Sequence, residues 1–245
     1  MRFTLKKILG IACVCPETFS PAVTSIPVLT IDGPSGAGKG VVSRKVAAHL
    51  GWHVLDSGAL YRSVGYAARV EGVELTDAEA VTRCVQRANI HFQTGDEDGD
   101  GRVWVNGRDA TDALRSERVA AAASVVAAIP AVRQALVEHQ LAMRRPPGLV
   151  ADGRDMGTVI FPDAQFKIFL TASAAERAQR RYNQLTEKGD AATLTTLERD
   201  IEQRDSRDAS RAESPLRPAV DAVLIDSTNL SIAQVMTNVL AALRR

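Results

Sequence analysis

With 245 residues, 45% of them hydrophobic, the chain is long enough to bury one full core, which favours one main domain with an insertion. Its 30 Lys and Arg nearly cancel 29 Asp and Glu, which excludes a global field able to hold it on a nucleic-acid backbone or an anionic membrane; any basic site is local. Cys13, Cys15 and Cys84 offer neither a disulfide framework nor metal-ligand spacing, as expected in a reducing, cytoplasmic compartment.

Taken in chain order, residues 1–25 read as an extension. Lys6 and Lys7 precede an apolar run over 8–15 that is too short to cross a bilayer, and Pro16, Ser20 and Pro21 break it. Without a clear small-x-small cleavage site, a passive extension is preferred over a signal peptide. Short apolar runs at 26–31, 53–55, 149–151, 166–170 and 222–225 read as buried parallel strands. Helical periodicity covers 39–50, 59–70, 77–88, 117–128, 131–144, 174–186, 193–204 and 232–243. Strands alternating with helices predict a doubly wound α/β fold with a five-stranded parallel sheet and helices on both faces.

Residues 89–112 interrupt that rhythm. Ile90 and Phe92, then Val103 and Val105, alternate about a turn-rich stretch at 94–101 and again at Asn106-Gly107, which predicts a small antiparallel insertion. Asp96, Asp98, Asp100 and Gly101 resemble the start of a calcium loop, but the twelfth position is Gly107 rather than Glu, so a solvated hairpin tip is preferred.

The strongest motif follows the first strand: Gly33, Pro34, Ser35, Gly36, Ala37, Gly38, Lys39, Gly40, then Val41. Glycines let the backbone fold into a nest of N–H groups converging on phosphate oxygens, and the helix behind it adds its positive end. Lys39 supplies a mobile cation for the β- and γ-phosphates of a bound nucleotide. Gly40 stands where P-loops usually carry Ser or Thr, so Mg²⁺ is expected to be held largely through water rather than by a hydroxyl of the loop.

A P-loop alone does not distinguish a kinase from a switch or a motor. The chain lacks the Asn-Lys-x-Asp tetrad that reads guanine, and it carries Arg62, Arg154, Arg204, Arg207 and Arg211 near strand and helix ends. An acceptor phosphate is itself an anionic nucleophile, so transfer to it needs no strong base. It needs charge neutralised and two phosphates held in line, work suited to guanidinium groups.

At this point the sequence resembles bacterial cytidylate kinase across 26–245, in DGPSGAGKG, LDSGALYR, ADGRDMGTVIFPDA, KIFLTAS and the RDSRD…R cluster. The resemblance implies ATP as donor and CMP or dCMP as acceptor, a monomer with no nucleic-acid or membrane partner, and a lid at about 177–212. It makes 89–112 a monophosphate-binding subdomain. It implies that Ser57, Arg62 and Arg154 contact the acceptor phosphate, that Arg204 and Asp208 contact the sugar, and that Ser124, Arg133, Asp155 and Arg211 read the base. Lys39, Arg154, Arg204 and Arg211 become the catalytic set. The family usually has Thr at position 41, so Val41 removes one hydroxyl.

The residues alone leave alternatives open. Asp155 is either a base reader or a helix N-cap after a strand. Asp152 is either an acid orienting Mg²⁺ or a cap, and Asp32 is ambiguous in the same way. Arg62 suits a surface position equally well, and Ser124 and Arg133 lie in an Ala-rich region whose pattern favours a solvated face. His49, His53, His91 and His139 are scattered without ligand spacing, and Trp52 and Trp104 read as packing residues.

Overall fold

The computed structural model describes residues 26–93, 101–187, 189 and 191–244. The apolar run before residue 26 and the acidic stretch from Asp96 to Asp100 lie outside the described residues.

The centre is a strand that is apolar except for Thr30 and its terminal Asp: β1 (Val28–Asp32), buried at every position. It pairs in parallel with β6 (Leu149–Gly153) on one side and β7 (Phe166–Thr171) on the other. Beyond them lie β2 (His53–Asp56) and β8 (Val223–Asp226), giving the order β2-β6-β1-β7-β8. Leu29, Ile31, Val150, Ile168 and Leu170 on the sheet pack with Val42 and Val46 of α1 (Lys39–Leu50) and Val235 and Val239 of α8 (Ile232–Ala242). On the other side, Val28, Leu55, Leu149 and Ala151 pack on Met156, Ile160 and Phe161. The apolar stretches read from the sequence are therefore the five strands expected, and the sheet is covered on both faces.

A second core joins α2 (Ser57–Val70) to α3 (Ala78–Arg87), α4 (Glu117–Val126) and α5 (Pro130–Leu141) through Leu60, Val64, Val81, Val126 and Leu136. Between α3 and α4 runs the antiparallel sheet β3 (Ile90–Gln93), β4 (Arg102–Val105) and β5 (Arg108–Asp109). Asn106, at φ 51, and Gly107, at φ 76, make the β4–β5 turn, as the Asn-Gly pair predicts. A helical hairpin, α6 (Ala174–Glu187) and α7 (Leu194–Ala209), is held by Ala178, Leu185 and Leu197.

Two boundaries differ from the sequence reading in ways that matter. Helix α2 begins at Ser57, two residues earlier, because Asp56 caps it by accepting from the Ala59 N–H at 2.7 Å; this places Ser57 on the first turn and Arg62 on the second. Helix α7 continues five residues past Arg204, so Arg204 and Asp208 lie one turn apart on one face instead of being split between a helix and a loop.

Gly33 illustrates how tightly the P-loop leaves the sheet. It lies at φ 150, and a Cβ there would sit 1.9 Å from the Leu170 carbonyl oxygen of β7. Gly33→Ala is expected to cost on the order of 3 kcal/mol or more. A drop in the urea midpoint measures it; an unchanged midpoint would show that β7 yields freely.

Candidate active site

Most helices here begin with a side-chain cap: Asp56, Asp77, Ser116, Thr193 and Ser231 each accept from a first-turn N–H. Helix α1 differs. Its N-cap is Gly38 in the left-handed region, with no side-chain hydrogen bond, so the first-turn N–H groups open toward the loop. Gly36 at φ 79 and Gly38 at φ 92 curl residues 33–40 into the nest that the motif predicts. Inside it Lys39 is buried, its Nζ donating to the Pro34 carbonyl at 2.9 Å and lying 3.9 Å from Asp152.

Asp152 is the penultimate residue of β6, pointing at the exit of the loop; its Oδ2 lies 3.5 Å from where a Cβ on Gly40 would be. Lying within β6, it is not a helix cap. Burial raises its carboxyl, opposed first by the Lys39 ammonium. Burial likewise lowers the Lys39 ammonium well below its usual 10.5, with Arg154 and then Arg204 pushing the same way and Asp152 opposing.

Those two arginines are thus beside Lys39. Arg154, just after β6, donates from Nε to Asp208 at 3.0 Å and from Nη1 to the Gly153 carbonyl at 3.1 Å. Asp208 is only 1% exposed and also pairs with Arg211, so one carboxylate on α7 ties the β6 loop to the helical hairpin. Arg204 is held down to about 10 by burial, with Arg154 and Arg62 adding repulsion and Asp208 opposing. Arg62 pairs with Asp56 at 3.2 Å and faces the same cleft. The Ser57 hydroxyl lies 2.8 Å from where a Cβ on Gly153 would be, against the Arg154 loop.

A third group lies deeper. Arg133 of α5, 7% exposed, pairs with Asp155, itself 3% exposed, and lies 5.7 Å over the Tyr61 ring. Ser124 on α4 is also buried. The Ala-rich pattern had favoured solvent for both Ser124 and Arg133, and the packing of α4 and α5 over α2 overrides it. Among the described residues, Ser124 Oγ, Arg204 Nε and Arg211 Nε are buried polar atoms with no hydrogen-bond partner in the chain. Buried polar atoms are seldom left so unless something else satisfies them. A cleft of about 1030 Å³ is lined by Ser35, Gly36 and Gly40 of the P-loop together with Arg62, Asp152 and Arg204, among others.

Arg177 was missed by the sequence reading except as part of an Arg-rich lid. It is buried behind the P-loop, donating to the Ala172 carbonyl at 2.9 Å and the Ser35 carbonyl at 3.0 Å, and pairing with Asp205 of α7. It links the loop to the helix that carries Arg204 and Asp208. Asp56, which caps α2 and holds Arg62, was likewise passed over, although Asp before a helical run is a recognisable cap signal.

Residues 29–245 match the family model described as cytidylate kinase. The chain is 55% identical over 215 residues to a cytidylate kinase of Pseudomonas fluorescens, covering 88% of this chain and 94% of that one. It is 54% identical over 220 residues to one of Stutzerimonas stutzeri, covering 89% and 96%. A solved gluconokinase from Sinorhizobium meliloti is similar with 17% identity and a TM-score of 0.45, covering 90% of this chain and 93% of that one. With P-loop residues, Arg62 and Arg204 lining one cleft and relatives matching almost throughout, the chain belongs to the cytidylate kinase family.

Proposed function

We propose that this chain transfers the γ-phosphoryl group of ATP to the phosphate of CMP, and of dCMP, yielding the diphosphate. The observation that carries the reading is the crowding of Arg154 and Arg204 about the buried Lys39: burial and both arginines lower the Lys39 ammonium, burial and Arg154 lower Arg204, and the nearby carboxylates only partly offset them. Like charges held together in a buried cleft are costly alone and well matched to a polyanion.

Residues 33–41 of the P-loop take the ATP phosphates, with Lys39 moving from the Pro34 carbonyl to the transferring group. Ser57, Arg62 and Arg154 hold the acceptor phosphate, so that its oxygen attacks in line without a general base. Arg204 and Arg211 neutralise charge from the α7 side, and Arg204 and Asp208 reach the sugar. Asp152, beside Gly40, would hold Mg²⁺ through water, since Gly40 offers no hydroxyl next to Lys39, and the ion would neutralise phosphate charge. Ser124, Arg133, Asp155 and Arg211 read the base: cytosine presents an amino donor beside two acceptors, which a carboxylate next to a guanidinium complements. Uracil places a carbonyl against Asp155, and that unpaired contact disfavours it.

Residues 26–245 make up this kinase domain, with 89–112 as the acceptor-side insertion and 177–212 as the lid. It works as a monomer in the cytoplasm, in keeping with Cys84 being a free thiol; among the described residues no single helix is long and apolar enough to cross a membrane. A coupled assay over CMP, dCMP, UMP, AMP and shikimate tests the reading. CMP and dCMP are expected to lead; equal turnover of UMP would refute the base readers, and ATP binding without transfer to any acceptor would favour a nucleotide-sensing protein.

A further inference from the structure

Asp155 holds the N-cap position of the short π-helical turn Met156–Ile160, yet its side chain makes no capping bond, being engaged with Arg133. The capping is done from another strand. Asp32, the last residue of β1, accepts the Met156 N–H on Oδ1 at 2.9 Å and the Gly157 N–H on Oδ2 at 2.8 Å, across more than 120 residues of sequence. It is only 4% exposed, and it feels both Asp155 and Lys39. Burial pushes its carboxyl up to about 7, although both N–H bonds favour the ionised form. The turn is seated directly on β1: a Cβ on Gly157 would lie 2.7 Å from Thr30 Oγ1 and 3.4 Å from Asp32 Oδ2.

An acid that reads a base cannot also cap its own turn. We infer that Asp32 is a positioning residue for base recognition: by capping the 156–160 turn in place of Asp155, it leaves the Asp155 carboxylate free to face the acceptor base alongside Arg133. Each Asp32 oxygen is engaged by one N–H donor of that turn. Specificity for the base is thereby built on the strand that also launches the P-loop. The inference rests on the base-reading role of Asp155 and Arg133 proposed above.

Asp32→Asn tests it, because the amide keeps the shape but turns one acceptor into a donor facing an N–H. The variant is expected to raise the KM for CMP at least tenfold and to raise the UMP-to-CMP ratio of kcat/KM at least tenfold. The KM for ATP stays within about twofold, since Asp152 remains beside Lys39. A merely structural loss would lower turnover of both acceptors evenly and leave their ratio where it was, and that result overturns the inference. Gly157→Ala, which lifts the same turn from the other side, is expected to give the same acceptor-specific defect and supplies the reading should Asp32→Asn not fold; an even loss there overturns it equally. Failure of the underlying reading looks different, because the unaltered protein would then not prefer CMP over UMP at all.

Discussion

Arg154→Ala is expected to reduce kcat on the order of 1000-fold while leaving the KM for ATP nearly unchanged. The side chain is close enough to Lys39 to depress it and is bonded through Nε to Asp208. Its removal takes away a positive charge beside Lys39 that the proposed function assigns to the acceptor phosphate. It also leaves Asp208, buried on α7, with Arg211 as its ion-pair partner, so part of the loss comes from a helix less firmly held. Two variants separate these contributions. Arg154→Lys keeps the charge without the planar fork and is expected to recover only part of the rate, because a point charge cannot hold Asp208 and a phosphate together. Asp208→Asn breaks the tie to the β6 loop while sparing the guanidinium, and is expected to raise the KM for CMP more than it lowers kcat. Full activity in Arg154→Ala, measured with saturating CMP and ATP, would remove Arg154 from the catalytic set.

The sheet and the P-loop were legible because both obey local rules. An apolar run ending in Asp-Gly, a nest of glycines and a helix behind it leave few other folds for residues 26–50. The strands at 149–153 and 166–171 stand out for the same reason, since buried parallel strands are apolar nearly throughout. The hidden features depend on packing between distant segments. Ser124 and Arg133 lie in helices whose Ala-rich faces give no strong period, and only the seating of α4 and α5 over Tyr61 buries them. Arg177 stood only at the start of an Arg-rich lid, although its three hydrogen bonds reach the P-loop, the end of β7 and α7. The division of labour between Asp32 and Asp155 was also out of reach. An Asp at the end of a strand ordinarily caps the turn next to it in the chain, and here the capping Asp comes from a different strand.

Lys39→Met is expected to have the second large effect, a loss of kcat on the order of 100-fold or more, with the KM for ATP raised as well. The P-loop backbone would still cradle the phosphates through the uncapped start of α1, so binding weakens less than transfer. The same variant carries a signature in stability that does not depend on catalysis. Burial holds the Lys39 ammonium below its usual 10.5 in the folded chain. Between that lowered value and 10.5 the unfolded chain therefore binds a proton that the folded chain does not, and folding stability due to Lys39 rises with pH. This contribution is fully present above 10.5 and lost as pH falls through the folded value. Lys39→Met has no such group, so the stability difference between the two proteins should change across this window, the unaltered chain gaining on the variant as pH rises. Urea unfolding at several pH values, without nucleotide, measures the difference; a gap that stays constant would mean that Lys39 is solvated in the free protein and swings into the nest only with ATP.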